Sequence, residues 1–174
     1  MSDYRADKLG EYWDVYNAQK ERTGRTHQRG QQLQPGDYHL VTNGLIFNSK
    51  GDVLLQQRAF DKLSHPGIWT ADTGGAVLVG ETSQSQQALV RELFEELGLA
   101  VSADELVFIE TLRYTDWIED WYAIKLPDQP VTFQLQTAEV VAVRWVRFDE
   151  ALANNTANGF DDNDLLHTAK ARLF

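Results

Sequence analysis

The sequence predicts an α+β domain in which a mixed β-sheet lies between layers of α-helix. Runs of β-branched and aromatic residues recur on both sides of one strongly helical segment, and a second helical pattern closes the chain. The chain has 174 residues, of which 43% are hydrophobic, and this is enough for one domain with a buried core. The sequence shows no internal repeat and no sign of a second domain.

Each strand is predicted from a short β-forming run that ends at glycine, proline or polar residues. The strands are expected at residues 11–17, 39–47, 52–58, 107–112, 121–126 and 140–146. The turn at residues 48–51 separates two of these strands, which are therefore expected to pair as a hairpin. The polar residues 29–36 form a connector, and Gly74-Gly75 is expected to bend the chain before the main helix.

Helices are predicted at residues 83–97, 149–153 and 161–174. Ser83 is the expected N-cap of the first helix, and Gly98 ends it in a left-handed cap. A single domain spanning residues 1–174 follows from this order. Its predicted parts are an N-terminal strand and connector (1–36), a core (37–153) and a C-terminal helix (160–174).

Composition excludes several classes of function. The chain contains no cysteine, which removes disulfides, thiolate metal sites and cysteine nucleophiles. The net charge of −10 argues against general nucleic-acid binding. No apolar run is long enough to span a bilayer, so a cytoplasmic protein is expected. Five basic residues form either a solvated turn or an arm that contacts phosphate: Lys20, Arg22, Arg25, His27 and Arg29.

Three glutamates of the main helix are expected to share one face. With Glu92 at zero, Glu95 lies at roughly −60° and Glu96 at roughly +40° on a helix that turns by about 100° per residue. The apolar residues of this helix form a stripe that must face the core and that fixes the direction of the carboxylates. This stripe is predicted to contain Leu89, Val90, Leu93, Phe94 and Leu97.

Clustered carboxylates repel one another, and a hard divalent cation would offset that repulsion. The alternative is a solvated acidic face without a ligand. The glycines around the cluster favour the metal, because Gly74-Gly75 allows the backbone to approach a ligand closely and to offer a carbonyl oxygen. Arg91 is expected to orient a neighbouring carboxylate.

Residues 75–99 resemble the Nudix box, whose pattern is Gly, five residues, Glu, seven residues, then Arg-Glu-apolar-any-Glu-Glu-any-Gly-apolar. The matching residues are Gly75, Glu81, Arg91, Glu92, Leu93, Glu95, Glu96, Gly98 and Leu99. One departure is that nine residues, rather than seven, separate Glu81 from Arg91. This insertion leaves Arg91 to Gly98 in register, but the sequence no longer predicts a contact between Glu81 and Arg91.

The resemblance implies a Nudix fold and a Mg²⁺-dependent pyrophosphohydrolase, with Mn²⁺ as the alternative metal. Its substrate would be a nucleoside diphosphate linked to another group. The implied metal ligands are Glu92, Glu95 and Glu96, with the Gly74 carbonyl. Glu139 is the candidate general base, and Arg91 completes the catalytic set. Arg58 would either reach phosphate or form a surface salt bridge.

Aromatic side chains would stack a flat part of the substrate or serve in packing; these are Trp69, Tyr114, Trp117 and Trp121. Nearby, Asp116, Glu119 and Asp120 form a second acidic group, which we interpret as a solvated loop. The alternative is a further acidic site.

Residues 10–153 are also similar to the branch of the family related to isopentenyl-diphosphate isomerase, notably at Trp13-Asp14-Val15-Tyr16 and Gly36-Asp37-Tyr38-His39. That isomerase uses a cysteine and a glutamate for proton transfer, whereas residues 70–73 here read Thr-Ala-Asp-Thr. Isomerase chemistry and a non-catalytic nucleotide sensor therefore stand as alternatives to the hydrolase. A homodimer is compatible with the family resemblance.

Overall fold

The computed structural model describes residues 10–81 and 85–174. Within these ranges the strands are β1 (Tyr12–Tyr16), β2 (Arg22–Gln28), β3 (His39–Phe47), β4 (Val53–Arg58), β5 (Trp69–Thr70), β6 (Asp72–Ala76), β7 (Val107–Arg113), β8 (Trp117–Lys125) and β9 (Val140–Val146). The helices are α1 (Ser85–Leu97), α2 (Phe148–Ala157) and α3 (Asn163–Leu173), and Ala103–Glu105 forms a 3₁₀ turn. The N-cap expected at Ser83 lies outside the described residues.

Strand β3 organises the main sheet. It pairs with β8 in parallel along its whole length, and with β6 antiparallel from Val41 to Leu45. β7 pairs with β8, and β4 pairs with β5 and β9. β1 and β2 form a separate antiparallel ribbon, which a bridge between Tyr16 and Tyr38 connects to the segment before β3. The main sheet is therefore mixed, as the sequence predicts.

Helices cover both faces of this sheet. Successive side chains of a strand point to opposite faces, so Ile46 packs with α1 while Leu45 and Phe47 pack with α2 and α3. The α1 side of the core contains Leu89, Leu93 and Leu97, and the other side contains Ala151, Leu165, Leu166 and Ala169. The sandwich predicted from the sequence is confirmed. No helix among the described residues is long and apolar enough to cross a membrane.

Of two predictions about strands near the centre, one was confirmed in part and the other was wrong. The expected hairpin of β3 and β4 is limited to the pair Phe47–Val53, because β3 turns instead to β6 and β8. Gly74 and Gly75 do not bend the chain. They lie in β6 opposite Asn43 and Thr42, since glycine lets this strand pass close to β3 and to α1.

The basic group and the second acidic group do not form the solvated turn and the solvated loop that were considered from the sequence. Most of the basic group lies on strand β2 rather than in a turn, and Arg25 pairs with Asp37 at 2.6 Å. Glu119 and Asp120 lie on β8, which begins four residues earlier than predicted. Asp120 is fully buried and accepts hydrogen bonds from Lys20 (2.6 Å), Ser85 (2.6 Å) and Thr111 (2.6 Å). Burial of a carboxylate requires such partners, so Asp120 serves as a structural connection.

Candidate active site

Helix α1 directs two of its glutamates inward. Leu89, Leu93 and Leu97 are fully buried, and this fixes the rotation of the helix. The Glu92 and Glu96 side chains are consequently buried against β6, with 1% and 5% of their surface exposed. The Phe94 side chain, which the stripe was predicted to include, is 61% exposed, because it lies at the margin of the apolar face.

Glu95 does not enter this buried pocket. Its side chain is 42% exposed and lies 3.2 Å from Arg91 Nη1. The structure therefore brings together Glu92 and Glu96, but it places the third predicted ligand at the rim. Among residues 10–81 and 85–174, no group of three His, Asp or Glu side chains has an arrangement that could hold a metal ion.

Arg91 holds the carboxylates in place. Its Nη1 donates to Glu92 at 2.7 Å, its Nη2 donates to the Ala76 carbonyl at 3.0 Å, and its Nε donates to Glu81. Burial lowers the pKa of the Arg91 guanidinium, but the hydrogen bonds and charges of Glu81 and Glu92 outweigh it and raise the pKa above its usual value. The contact of Glu81 with Arg91 is thus present despite the insertion.

Gly75 makes room for the Glu92 carboxylate. A Cβ atom built on Gly75 would lie 2.5 Å from Glu92 Oε1, which is too close for any side chain. Gly74 is closed on its other side by the backbone of Thr42. Both glycines line a small pocket of about 90 Å³, together with Arg29, Arg58, Lys62, Ala76, Glu92, Glu96 and Glu139. We call this the glutamate pocket.

The segment that follows residue 133 brings Glu139 into the glutamate pocket. The last carbonyls of a helix have no partner within the helix, and here Gln134 N donates to Leu97 O at 2.8 Å. Gln136 N donates to Glu96 O at 3.0 Å, and Gln136 O in turn accepts from Glu139 N at 2.8 Å. Gly98, with φ of 67°, provides the left-handed end of α1 that was predicted. Glu139 is therefore held in place by the end of α1.

Lys62 is a site residue that the sequence did not identify. Its Nζ lies 2.6 Å from Glu139 Oε2, and both side chains are more than nine-tenths buried. A lone lysine in a loop carries no sequence signal. By contrast, Arg29 belonged to the basic group, and it is the member that lines the glutamate pocket. Arg58 also lines it, and no acidic side chain among the described residues lies within ion-pair distance of Arg58.

A second pocket of about 470 Å³ adjoins the first, and Arg29 and Arg58 line both. We call it the aromatic pocket, because Tyr114, Trp117, Trp121 and Phe160 contribute to its walls. The Tyr114 and Trp117 rings stack with centroids 4.3 Å apart. Trp69 is not part of this pocket; its ring lies under the Arg144 guanidinium, 4.4 Å from the ring centre.

Three carboxylates of the aromatic pocket come from separate elements: Asp72 from β6, Glu119 from β8 and Asp162 from the turn before α3. Burial raises the pKa of Asp162 to about 6, with further contributions from the negative charges of Asp72, Glu119 and Asp161. Burial also raises the pKa of Asp72. Asp72 and Asp162 are far apart in sequence, and no motif connects them.

A helix that presents buried glutamates to a glycine-containing strand, inside a mixed sheet covered by helices, defines the class of the protein. The NUDIX domain family matches residues 37–167. The chain belongs to the Nudix family and is a Nudix hydrolase, as predicted.

Individual proteins agree with this assignment. The chain is 37% identical to an uncharacterised Nudix hydrolase of Listeria monocytogenes over 150 residues, covering 86% of this chain and 88% of the relative. It is 32% identical to an isopentenyl-diphosphate isomerase of Escherichia coli over 94 residues, which is 54% of this chain and 50% of the isomerase. A crystal structure from Deinococcus radiodurans has a TM-score of 0.70 at 22% identity, covering 91% of this chain and 99% of that one. The fold and the expected similarity to the isomerase branch are both confirmed.

Proposed function

We propose that the protein is a Mg²⁺-dependent pyrophosphohydrolase that cleaves the diphosphate of a nucleoside diphosphate linked to another group. Mn²⁺ is the alternative metal. The observation that carries the proposal is the convergence of the buried Glu92 and Glu96 with Glu139 in one pocket whose rim contains Arg29 and Arg58. Acidic groups for metal and water thus lie beside cationic groups for phosphate.

The residues of the glutamate pocket fit a hard divalent cation. Glu92 and Glu96 offer carboxylate oxygens, and the Glu92 carboxylate fits against β6 because Gly75 has no side chain. These glutamates and the Gly74 carbonyl would hold Mg²⁺, which commonly keeps several waters and phosphate oxygens as further ligands. Glu95 would join them only by leaving Arg91. When bound, the metal would neutralise phosphoryl charge and lower the pKa of a bound water.

The remaining site residues would position the substrate and the water. Arg29 and Arg58 are the groups through which the diphosphate would be oriented, since both line the passage between the two pockets. Glu139 would accept the proton of the attacking water, and Lys62 would keep its carboxylate pointed into the pocket. Tyr114 and Trp117 would stack against the nucleoside.

The experiment is a panel of nucleoside diphosphate compounds incubated with Mg²⁺ or Mn²⁺, with release of the nucleoside monophosphate and the phosphorylated partner group as the readout. We expect turnover of at least one compound, with loss of activity on adding a chelator and in the variant Glu96→Gln. Glu110→Gln is the matched control, because Glu110 is an exposed glutamate of β7. Tight nucleotide binding without turnover would instead favour the sensor, and full activity of Glu96→Gln would contradict the site.

A further inference from the structure

The aromatic pocket offers polar and charged side chains to a ligand as well as aromatic rings. β3 contributes Val41 and Asn43 to its floor, and their register partners on β8 are Glu119 and Trp121. Alternate residues of a strand share a face, so these four side chains lie on the same side of the sheet. Asp72 of β6, whose register partner is Leu45, borders the same floor.

The negative groups of this pocket are held in place as acceptors. Glu119 receives the indole N–H of Trp117 at 3.0 Å on one oxygen and that of Trp121 at 2.8 Å on the other. A carboxylate oxygen can accept more than one hydrogen bond, so Glu119 retains accepting capacity toward the pocket. Asp162 and Asp72 add two further carboxylates, whose negative charges repel each other.

Asn43 provides an independent sign of a missing ligand. Its side chain is 7% exposed, lines the aromatic pocket and makes no side-chain hydrogen bond to any residue within 10–81 and 85–174. The Asn43 amide is open to the aromatic pocket, so a ligand there can donate a hydrogen bond to it or accept one from it.

The aromatic pocket has positive charges where it meets the glutamate pocket and negative charges elsewhere. Arg29 and Arg58 lie where the pockets meet, next to the proposed diphosphate position. The carboxylates of Asp72, Glu119 and Asp162 belong to the aromatic pocket alone. A ligand that matches this arrangement has an anionic end and, at its other end, a flat ring with an amino group that donates hydrogen bonds.

We propose that the aromatic pocket selects nucleobases with an amino group at pyrimidine C4 or purine C6, cytosine and adenine, over uracil and hypoxanthine, which carry an oxo group at the same position. The amino N–H groups would donate to the carboxylates, while Tyr114 and Trp117 stack on the ring. The Asn43 amide can donate as well as accept, so it would bind a base of either kind. An oxo group in the same place would face acceptors and leave them without a partner. The proposal rests on the proposed function, because it names the nucleoside portion of that substrate.

Two matched comparisons test the proposal. Turnover of CDP-glucose against UDP-glucose measures kcat/KM for bases that differ at the amino position. Binding of CMP against UMP, and of AMP against IMP, by calorimetry measures the same preference without hydrolysis. We expect the amino member of each pair to be favoured by about tenfold, the effect of one hydrogen bond to a charged acceptor.

Variants then assign the preference to this pocket. Asp162→Asn should reduce the ratio within each pair to about twofold or less, because an amide offers a donor to the oxo base. Asp161→Asn is the matched control, since Asp161 is an exposed neighbour that does not line the pocket. Asn43→Leu should weaken both members of each pair alike, because the Asn43 amide can donate as well as accept. Circular dichroism and unfolding curves establish that each variant is folded.

The outcomes separate this proposal from the proposed function. Equal handling of both members of each pair, or a preference for the oxo bases, overturns the base selection and leaves the hydrolase intact. A preference in binding without turnover of any compound supports the pocket and overturns the hydrolase. An unchanged ratio in Asp162→Asn also overturns the assignment to this pocket.

Discussion

Lys62 Nζ lies 2.6 Å from Glu139 Oε2, and this buried ion pair connects the loop after β4 to the segment before β9. Both side chains are less than a tenth exposed, so removal of either one leaves the other as a buried charge that has lost this partner. The pair orients the carboxylate beside Glu92 and Glu96 and keeps a positive charge in the glutamate pocket.

Separate removal of the two charges should therefore be non-additive. We expect Lys62→Met and Glu139→Gln each to lower the free energy of unfolding by about 2–3 kcal/mol, and the double variant to lower it by clearly less than the sum. Urea unfolding measures all three. Additive losses would show that the two groups act independently. Glu139→Gln should also reduce kcat by about 100-fold if it is the general base.

Gly75→Ala should abolish activity without unfolding the protein. The added Cβ would lie 2.5 Å from Glu92 Oε1, and the flexible end of Glu92 would move away. Turnover and metal affinity should both fall, while the circular dichroism spectrum stays the same. Gly80→Ala is the control, because a Cβ there meets nothing within 4 Å and only the left-handed turn is strained. Equal activity of the two variants would contradict the role assigned to Gly75.

Arg91→Lys should lower activity although it preserves the charge. A lysine cannot reproduce the fork by which Arg91 contacts Glu81, Glu92 and the Ala76 carbonyl together. We expect kcat to fall by about tenfold or more, because the Glu92 carboxylate loses its fixed orientation. A comparison with Arg113→Lys, an exposed arginine of β7, separates this effect from general loss of arginine.

Asp162→Asn should stabilise the protein at neutral pH. The folded pKa of Asp162 is about 6, above its ordinary value of 3.8, so its ionisation opposes folding. This penalty is absent below about pH 4, grows as the pH rises toward 6 and is complete above that. After allowance for partial exposure, the variant should gain about 1–2 kcal/mol at pH 7.5 and nothing at pH 4. Chemical unfolding at both pH values measures this, and a gain at pH 4 would point to another cause.

Isomerase chemistry should be absent. Residues 70–73 contain no cysteine, and the nearest carboxylate of that stretch, Asp72, faces the aromatic pocket. Incubation with isopentenyl diphosphate in D₂O should therefore give no deuterium incorporation. A Nudix isomerase assayed in parallel is the positive control. Incorporation that disappears in Asp72→Asn would revive the isomerase.

The parts of the site that lie within one helix were predictable. The spacing of Leu89, Leu93 and Leu97 fixes the rotation of α1, and the inward direction of Glu92 and Glu96 follows from it. Glu95 was predicted to join them, but helical phase gives only the direction of Cβ. The Glu95 side chain lies at the surface instead, where its Oε2 is 3.2 Å from Arg91 Nη1.

The parts that depend on several distant strands were not predictable. Gly74 and Gly75, which were expected to bend the chain, lie in strand β6. β3 pairs with β6 and β8 over many residues, and with β4 only at Phe47–Val53. Strand order is decided by burial over the whole sheet, which no local window contains. This strand order places Lys62, Asn43 and Asp162 in the two pockets. For that reason, no local pattern in the sequence marks them.

The backbone hydrogen bonds of Gln134 and Gln136 to the end of α1 imply a rule for tolerated length changes. Residues 127–130 precede the core contacts of Val131 and Phe133, so insertions or deletions there should leave the separation of Glu96 and Glu139 unchanged. The short stretch from Gln136 to Glu139 sets the distance between the end of α1 and the Glu139 carboxylate. One residue added to it would rotate the proposed base out of reach of the water that it serves.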